Sequence, residues 1–208
     1  MPIPVWGKAV PGSKVEIRLG TIIKTTIAAK DSTWKLYLSK QPATHHPQSL
    51  FISSGDTAVQ FHNILFGDLW LCIGQSNMEW PMMKEVHYNE EIRKSNQQLL
   101  RFYNPTYAGK NIFGTKFTDS VAAMLTAEAF YKGHWQTCDS NSFKLMSAVA
   151  YYFGKQITNE TNIPVGLINL AIGGAPLETF ISTNTLISSK QFSGKIKRDW
   201  LVNDVLPV

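Results

Sequence analysis

Apolar and polar residues alternate through the first part of the chain. Val15, Ile17 and Leu19 are separated by polar residues, as are Trp34, Leu36 and Leu38, and Leu50 and Ile52. A period of two puts one face of a strand in a core and the other in water. Pro11-Gly12, Asp31-Ser32, Gln41-Pro42 and Ser54-Gly55-Asp56 separate these runs as turns. The pattern predicts a small antiparallel β-domain over residues 1–65. It changes after Phe66-Gly67. From Asp68 to Ile73 the chain is apolar after a single Asp, which predicts a strand buried on both faces, as in a parallel sheet covered by helices. Leu99 to Tyr103 and Pro164 to Ala171 read the same way. Between them Phe143, Met146, Ala150, Phe153 and Ile157 recur at steps of three and four and predict one amphipathic helix. Gly154 weakens that helix by about 1 kcal/mol relative to Ala. A helix followed by a buried strand is the second half of a βαβ crossover, so residues 66–208 read as α/β. Residues 104–141 show little periodicity, and a connection this long is more often functional or inserted than idle.

Composition narrows the classes. Of the 208 residues 44% are apolar and 17% charged, enough for a packed core and contrary to wholesale disorder. The net charge is +5. The basic residues are scattered apart from Lys195, Lys197 and Arg198, with no basic stripe or nucleic-acid motif, so no nucleic-acid partner is expected. No stretch is long and apolar enough to span a membrane. Met1 to Trp6 has neither a charged n-region nor an apolar h-region, so the protein is expected to be cytosolic or to have lost a leader. Cys72 and Cys138 have no metal-binding spacing, and Cys72, inside an apolar run, is expected to be a buried thiol.

The chemistry concentrates in Gly67-Asp68-Leu69-Trp70-Leu71-Cys72-Ile73-Gly74-Gln75-Ser76-Asn77-Met78-Glu79-Trp80-Pro81. A buried strand ends, Gly74 permits a tight turn, and Ser76 follows at the carboxyl end of the strand, where open α/β sheets bind ligands. Its hydroxyl would project into a crevice, with its own N–H available to an oxyanion. Gln75 and Asn77 flank it with amide groups. The alternative is that Ser76-Asn77 simply caps the next helix. Met78 stands where the second glycine of a Gly-x-Ser-x-Gly elbow would be. A second block, Gly173-Gly174-Ala175-Pro176-Leu177-Glu178-Thr179-Phe180, follows a buried strand. Pro176 suits the first position of a helix, whose free N–H groups would favour negative charge, and Glu178 would lie in its first turn.

The Gly67–Pro81 run resembles the first block of the sialate O-acetylesterases, a branch of the SGNH hydrolases. Ser147 to Gly154 resembles that family's helix after the variable region, and Pro164 to Ile168 with Gly173 to Phe180 resembles its glycine-rich block. Ala175 and Phe180 stand where the family usually has Thr and Trp. The resemblance implies an incomplete SGNH, flavodoxin-like three-layer α/β/α domain over residues 66–208, preceded by a β-sandwich-like domain over 1–65. It implies Ser76 as nucleophile, with Gly173, Gly174, Gln75, Asn77 and Glu178 as oxyanion or substrate contacts. It requires no metal or organic cofactor, and implies an O-acetylated sugar as substrate and an exported or lysosomal setting.

A serine hydroxyl needs a base within hydrogen-bond reach. The resemblance places that base in an Asp-x-x-His block near the end of the catalytic domain. His45, His46, His62, His87 and His134 do not follow an Asp at that spacing, and Asp204 precedes Val-Leu-Pro-Val. Losing such a His costs roughly a million-fold in turnover, so the chain by itself is expected to hydrolyse esters weakly or not at all. Three parallel strands would also leave an unpaired sheet edge, which a C-terminal segment or a second chain would complete. A non-catalytic carbohydrate-binding or assembly module is the competing expectation.

Overall fold

The computed structural model describes residues 1–112 and 114–192. The basic cluster at Lys195, Lys197 and Arg198, and Asp204, lie outside the described residues. Two compact units are present among the described residues, one of Met1–Asp68 with Thr161–Pro164, the other of Leu69–Glu160 with the described residues after Pro164.

The first unit contains β1 (Ile3–Lys8), β2 (Lys14–Leu19), β3 (Ile22–Ile27), β4 (Thr33–Leu38), β5 (Thr44–Ser54) and β6 (Thr57–Phe66). Strands β3-β2-β5-β6 form one sheet and β1-β4 a second pair, all antiparallel. The alternating residues do what their period demands. Val15, Ile17 and Leu19 pack with Trp34, Leu36 and Leu38 in a common core. The register of β5 against β6 slips between Thr44 and Leu50. Pro47 lies there, and a residue without an N–H cannot donate to the ladder.

The second unit is built on β7 (Asp68–Cys72), β8 (Gln97–Tyr103), β11 (Trp135–Cys138) and β12 (Val165–Asn169), in the order β11-β8-β12-β7. Strand β12 runs parallel to β8 and β11 antiparallel to it. The N–H groups of Leu170 and Ile172 donate to the carbonyls of Cys72 and Gly74 at 3.0 Å. Partner numbers that rise together are the mark of a parallel pair. Helices α1 (Ser76–Glu79) and α2 (Tyr88–Glu91) precede β8. Between β8 and β11 come the two-residue strands β9 (Thr106–Tyr107) and β10 (Tyr131–Lys132), which pair, and α3 (Asp119–Ala122). Helices α4 (Ser140–Leu145) and α5 (Ala148–Thr161) lead into β12, and α6 (Thr183–Ser188) follows it.

Three expectations are corrected. Strand β7 is not buried on both faces. It is an edge strand among the described residues, with Leu69 69%, Trp70 43% and Leu71 59% exposed, and only Cys72 is buried. An apolar run reports that a strand can be covered, not that something covers it.

The predicted single helix is two, α4 and α5, because Met146 is extended (ψ 145°). Ser147 Oγ then accepts the Ala150 N–H at 3.2 Å, as a helix-capping side chain does. The break shifts the phase of the buried stripe. Phe143, Met146 and Ala150 are buried as expected, Phe153 is 39% exposed, and Tyr151 and Gly154 face the core instead. Gly154 is a close-approach residue rather than a weakness, since a Cβ there would stand 2.7 Å from Leu167 Cδ1 and 3.2 Å from Leu100 Cδ2.

The break also serves the region that follows Ser76. Met82 donates to the Met146 carbonyl and Ala148 to the Trp80 carbonyl, both at 2.9 Å. Finally, residues 104–141 are not a plain loop, because they contain β9, α3, β10 and β11.

Candidate active site

At the carboxyl end of β7 the chain turns on Gly74, whose φ of +149° is one that other residues rarely adopt. Met78 Cβ would lie 3.2 Å from any Cβ placed there. Helix α1 begins at once, closed by the Glu79 N–H donating to the Gln75 carbonyl at 2.9 Å. Ser76 is its first residue. Gln75 is the N-cap and makes no side-chain cap bond, so neither Ser76 nor Asn77 is spent as a cap. Ser76 is exposed, and its Oγ donates to Gln75 Oε1 at 3.2 Å.

The bond from Ile172 to Gly74 brings the double-glycine turn beside this helix. The Ala175 N–H closes the turn on the Ile172 carbonyl at 3.1 Å, with Gly174 at φ +79°. The Gly173 N–H donates to Glu79 Oε2 at 2.6 Å. The helix expected to begin at Pro176 is instead a single 3-10 turn, Leu177–Phe180, with Pro176 ahead of it in an extended conformation. Four residues give no run of aligned peptides, so the anion-favouring helix start proposed for this block is absent.

A cleft of about 610 Å³ opens over these groups. Ser76, Glu79 and Trp80 line it from the β7 side. Asn104, Pro105, Thr106, Lys110 and Asn111 line it from the segment after β8, and Asn169 and Gly173 from the end of β12. Gln75, Asn77, Gly174 and Glu178 are not among its lining residues. The floor is amide-linked: Asn169 Nδ2 donates to Asn104 Oδ1 at 2.9 Å, and Asn104 Nδ2 to the Leu145 carbonyl at 2.8 Å.

Glu79 is the charged centre of the cleft. Besides Gly173 it accepts Lys110 Nζ at 2.9 Å and Tyr107 OH at 3.3 Å. Burial, then the Glu79 charge, pushes the Tyr107 phenol up to about 12. The same two causes, in the same order, raise Tyr131, whose OH donates to the Leu170 carbonyl at 3.1 Å. Both phenols are therefore protonated donors at neutral pH and unsuited to act as bases.

No histidine lines the cleft among the described residues. His134 borders a separate shallow hollow with Trp135, and His45, His46 and His62 belong to the first unit. The described residues contain no cluster of three or more His, Cys, Asp or Glu side chains placed to hold a metal ion.

Sequence reasoning did not single out Glu79, Lys110, Asn104 or Asn169. Glu79 carried a usable signal, since it follows Ser76 by three residues, one helical turn. Lys110 and Asn104 carried none, because no periodicity tied their segment to the sheet.

No family model matches the chain. It is 30% identical over 195 residues to a sialate O-acetylesterase of Pongo abelii and 29% identical to that of Homo sapiens, in each case over 88% of this chain. The chain spans 36% of the length of both relatives. A crystal structure of a carbohydrate acetylesterase from Xanthomonas citri superimposes with a TM-score of 0.76 at 24% identity, over 91% of this chain and 40% of that one. That likeness carries the fold, a mixed α/β architecture with several sheets. The resemblance first read from the Ser76 block thus extends over nearly all of the chain, which is similar to the sialate O-acetylesterases across 88% of its length.

Proposed function

We propose that the chain carries the nucleophile half of a serine esterase that removes O-acetyl groups from sialic acid or a related acetylated sugar. The observation that carries this reading is Ser76 itself. It is exposed at the start of a helix at the carboxyl end of β7, unspent as a cap, on the wall of a cleft that the Gly173 turn also lines. Ser76 Oγ would attack the acetyl carbonyl as the base takes its proton, and the intermediate would then break its bond to the sugar oxygen, which leaves as a hydroxyl with that proton. Backbone N–H groups of Ser76 and Gly174, with Gln75 or Asn77, would hold the oxyanion, since the Gly173 N–H is taken by Glu79. Water would then release acetate from the acyl-enzyme.

Trp80 offers an apolar face to a sugar ring, and the amides of Asn104, Asn111 and Asn169 offer hydroxyl partners. The chemistry needs no metal or organic cofactor. A base is needed, and we assign it to further polypeptide, a C-terminal segment or a second chain. Such a segment would cover the apolar edge presented by Leu69, Trp70 and Leu71. In this reading residues 66–208 are part of a three-layer α/β/α domain and residues 1–65 a β-sandwich-like domain before it.

The test is labelling with a fluorophosphonate probe, read by mass spectrometry, with and without free imidazole as an external base. Modification at Ser76 that imidazole accelerates and Ser76→Ala abolishes is the expected result. Aryl acetate turnover by the chain without imidazole should be near background, because loss of the base costs roughly a million-fold.

The second reading is a non-catalytic carbohydrate-binding or assembly module. The absence of histidine from the cleft lining favours it. Failure of Ser76 to label even with imidazole, together with retained binding of acetylated sugar, would establish it.

A further inference from the structure

We propose that Glu79 is a positioning residue. It latches the Gly173–Gly174 turn against the helix that carries Ser76, while Lys110 cancels its charge so that it does not oppose an oxyanion formed at Ser76. The latch itself stands on geometry, and its effect on Ser76 rests on the esterase reading above.

Both carboxylate oxygens are committed. Oε2 accepts the Gly173 N–H at 2.6 Å, and Oε1 accepts Lys110 Nζ at 2.9 Å and Tyr107 OH at 3.3 Å. One side chain therefore ties together α1, the segment after β8 and the turn after β12, which are far apart in sequence. The close approach depends on glycine, because a Cβ at residue 173 would stand 2.6 Å from Oε2. Charge-assisted bonds of this kind are roughly twice as strong as neutral ones.

An uncompensated carboxylate one helical turn from a nucleophile would repel the negative charge that develops when it attacks. The Lys110 ammonium, which also lies 5.1 Å from the Tyr107 ring centre, offsets that field at its source. The Gly173 N–H is occupied by the carboxylate. Its part is then to fix the turn, and the oxyanion must be held by the other N–H groups whose positions the turn sets.

The test uses the whole chain with two readouts, hydrogen exchange of individual amides by NMR and the rate of Ser76 labelling by fluorophosphonate in imidazole. In Glu79→Ala the Gly173 amide should exchange faster by about tenfold or more. Ser76 labelling should slow by about tenfold, while the amides of β12 keep their protection. Glu79→Gln, which keeps an acceptor oxygen in place, should return both readouts toward wild type. Lys110→Met should leave Gly173 protected and still slow the labelling.

Unchanged Gly173 exchange in Glu79→Ala overturns the latch. Faster Gly173 exchange with unchanged labelling overturns its role at Ser76, as does slower labelling that merely tracks lost protection in β12. If wild-type Ser76 does not label, the esterase reading fails and the effect on Ser76 with it, and Gly173 exchange alone then decides whether the latch exists.

Discussion

At the scale of single residues, small groups decide what fits. Gly154 lies where α5 meets β8 and β12, with Leu167 and Leu100 at its missing Cβ. Gly154→Ala gains about 1 kcal/mol of helix propensity but overpacks two fully buried leucines, at a cost of about 1–3 kcal/mol. The expected outcome is a lower urea midpoint with an unchanged slope, and a raised midpoint would show that the leucines yield freely. The two thiols make a second case. Burial raises Cys72, and pushes Cys138 up to about 12, while Cys138 Sγ donates to the Ser95 carbonyl at 2.9 Å. Both should resist a thiol-specific reagent in the native chain and react on unfolding, as absorbance at neutral pH would record.

At the scale of elements, one charged cluster joins α2 and α5. Glu91 is buried, accepts Tyr151 OH at 3.1 Å and is paired with Lys155 and, at 3.5 Å, Lys94. Burial pushes its carboxyl up, but the lysines and Tyr151 outweigh this and hold it below the ordinary 4.5. A carboxylate whose pKa falls on folding adds stability above its unfolded pKa and loses it as pH drops through the folded value. The contribution is therefore intact at neutral pH and fades in acid below about pH 4. Glu91→Gln should destabilise by about 1–3 kcal/mol at pH 7. The gap should narrow toward pH 3, as urea midpoints at the two pH values would show. A gap independent of pH would mean that the cluster acts through packing alone. The same element scale explains the 80–82 segment. It is held by the break between α4 and α5, so the polar interruption at Ser147 belongs to the architecture of the cleft.

At the scale of the molecule, the exposed edge of the second unit is the dominant feature. Leu69, Trp70, Leu71 and Ile73 are exposed along β7 and just past its end, and among the described residues β7 pairs on one side only, with β12; long apolar edges invite pairing with other chains. The chain should associate as its concentration rises, and Leu71→Lys should shift sedimentation toward the monomer without changing the circular dichroism. Equal association in that variant would place the sticky surface elsewhere. Charge works in the other direction, since the net +5 opposes association at low salt and is screened as salt rises, so adding salt should strengthen it.

The sequence determined whatever depends on neighbours along the chain. The period-two runs marked three strands of the first unit, β2, β4 and β5, and the buried faces of the first two, as Val15, Ile17 and Leu19 and Trp34, Leu36 and Leu38 show. The turn at Gly74 and the placement of Ser76 at a strand's end were legible because glycine and a short apolar run are local signals. Tertiary structure decided the rest. Whether β7 is covered, where the helix before β12 breaks, and which side chains surround Ser76 depend on residues dozens of positions apart. Glu79 was visible in the motif, but its bonds to Lys110 and Gly173 were not. A hydrogen bond leaves no trace in the periodicity of either partner, and only folding brings the two together.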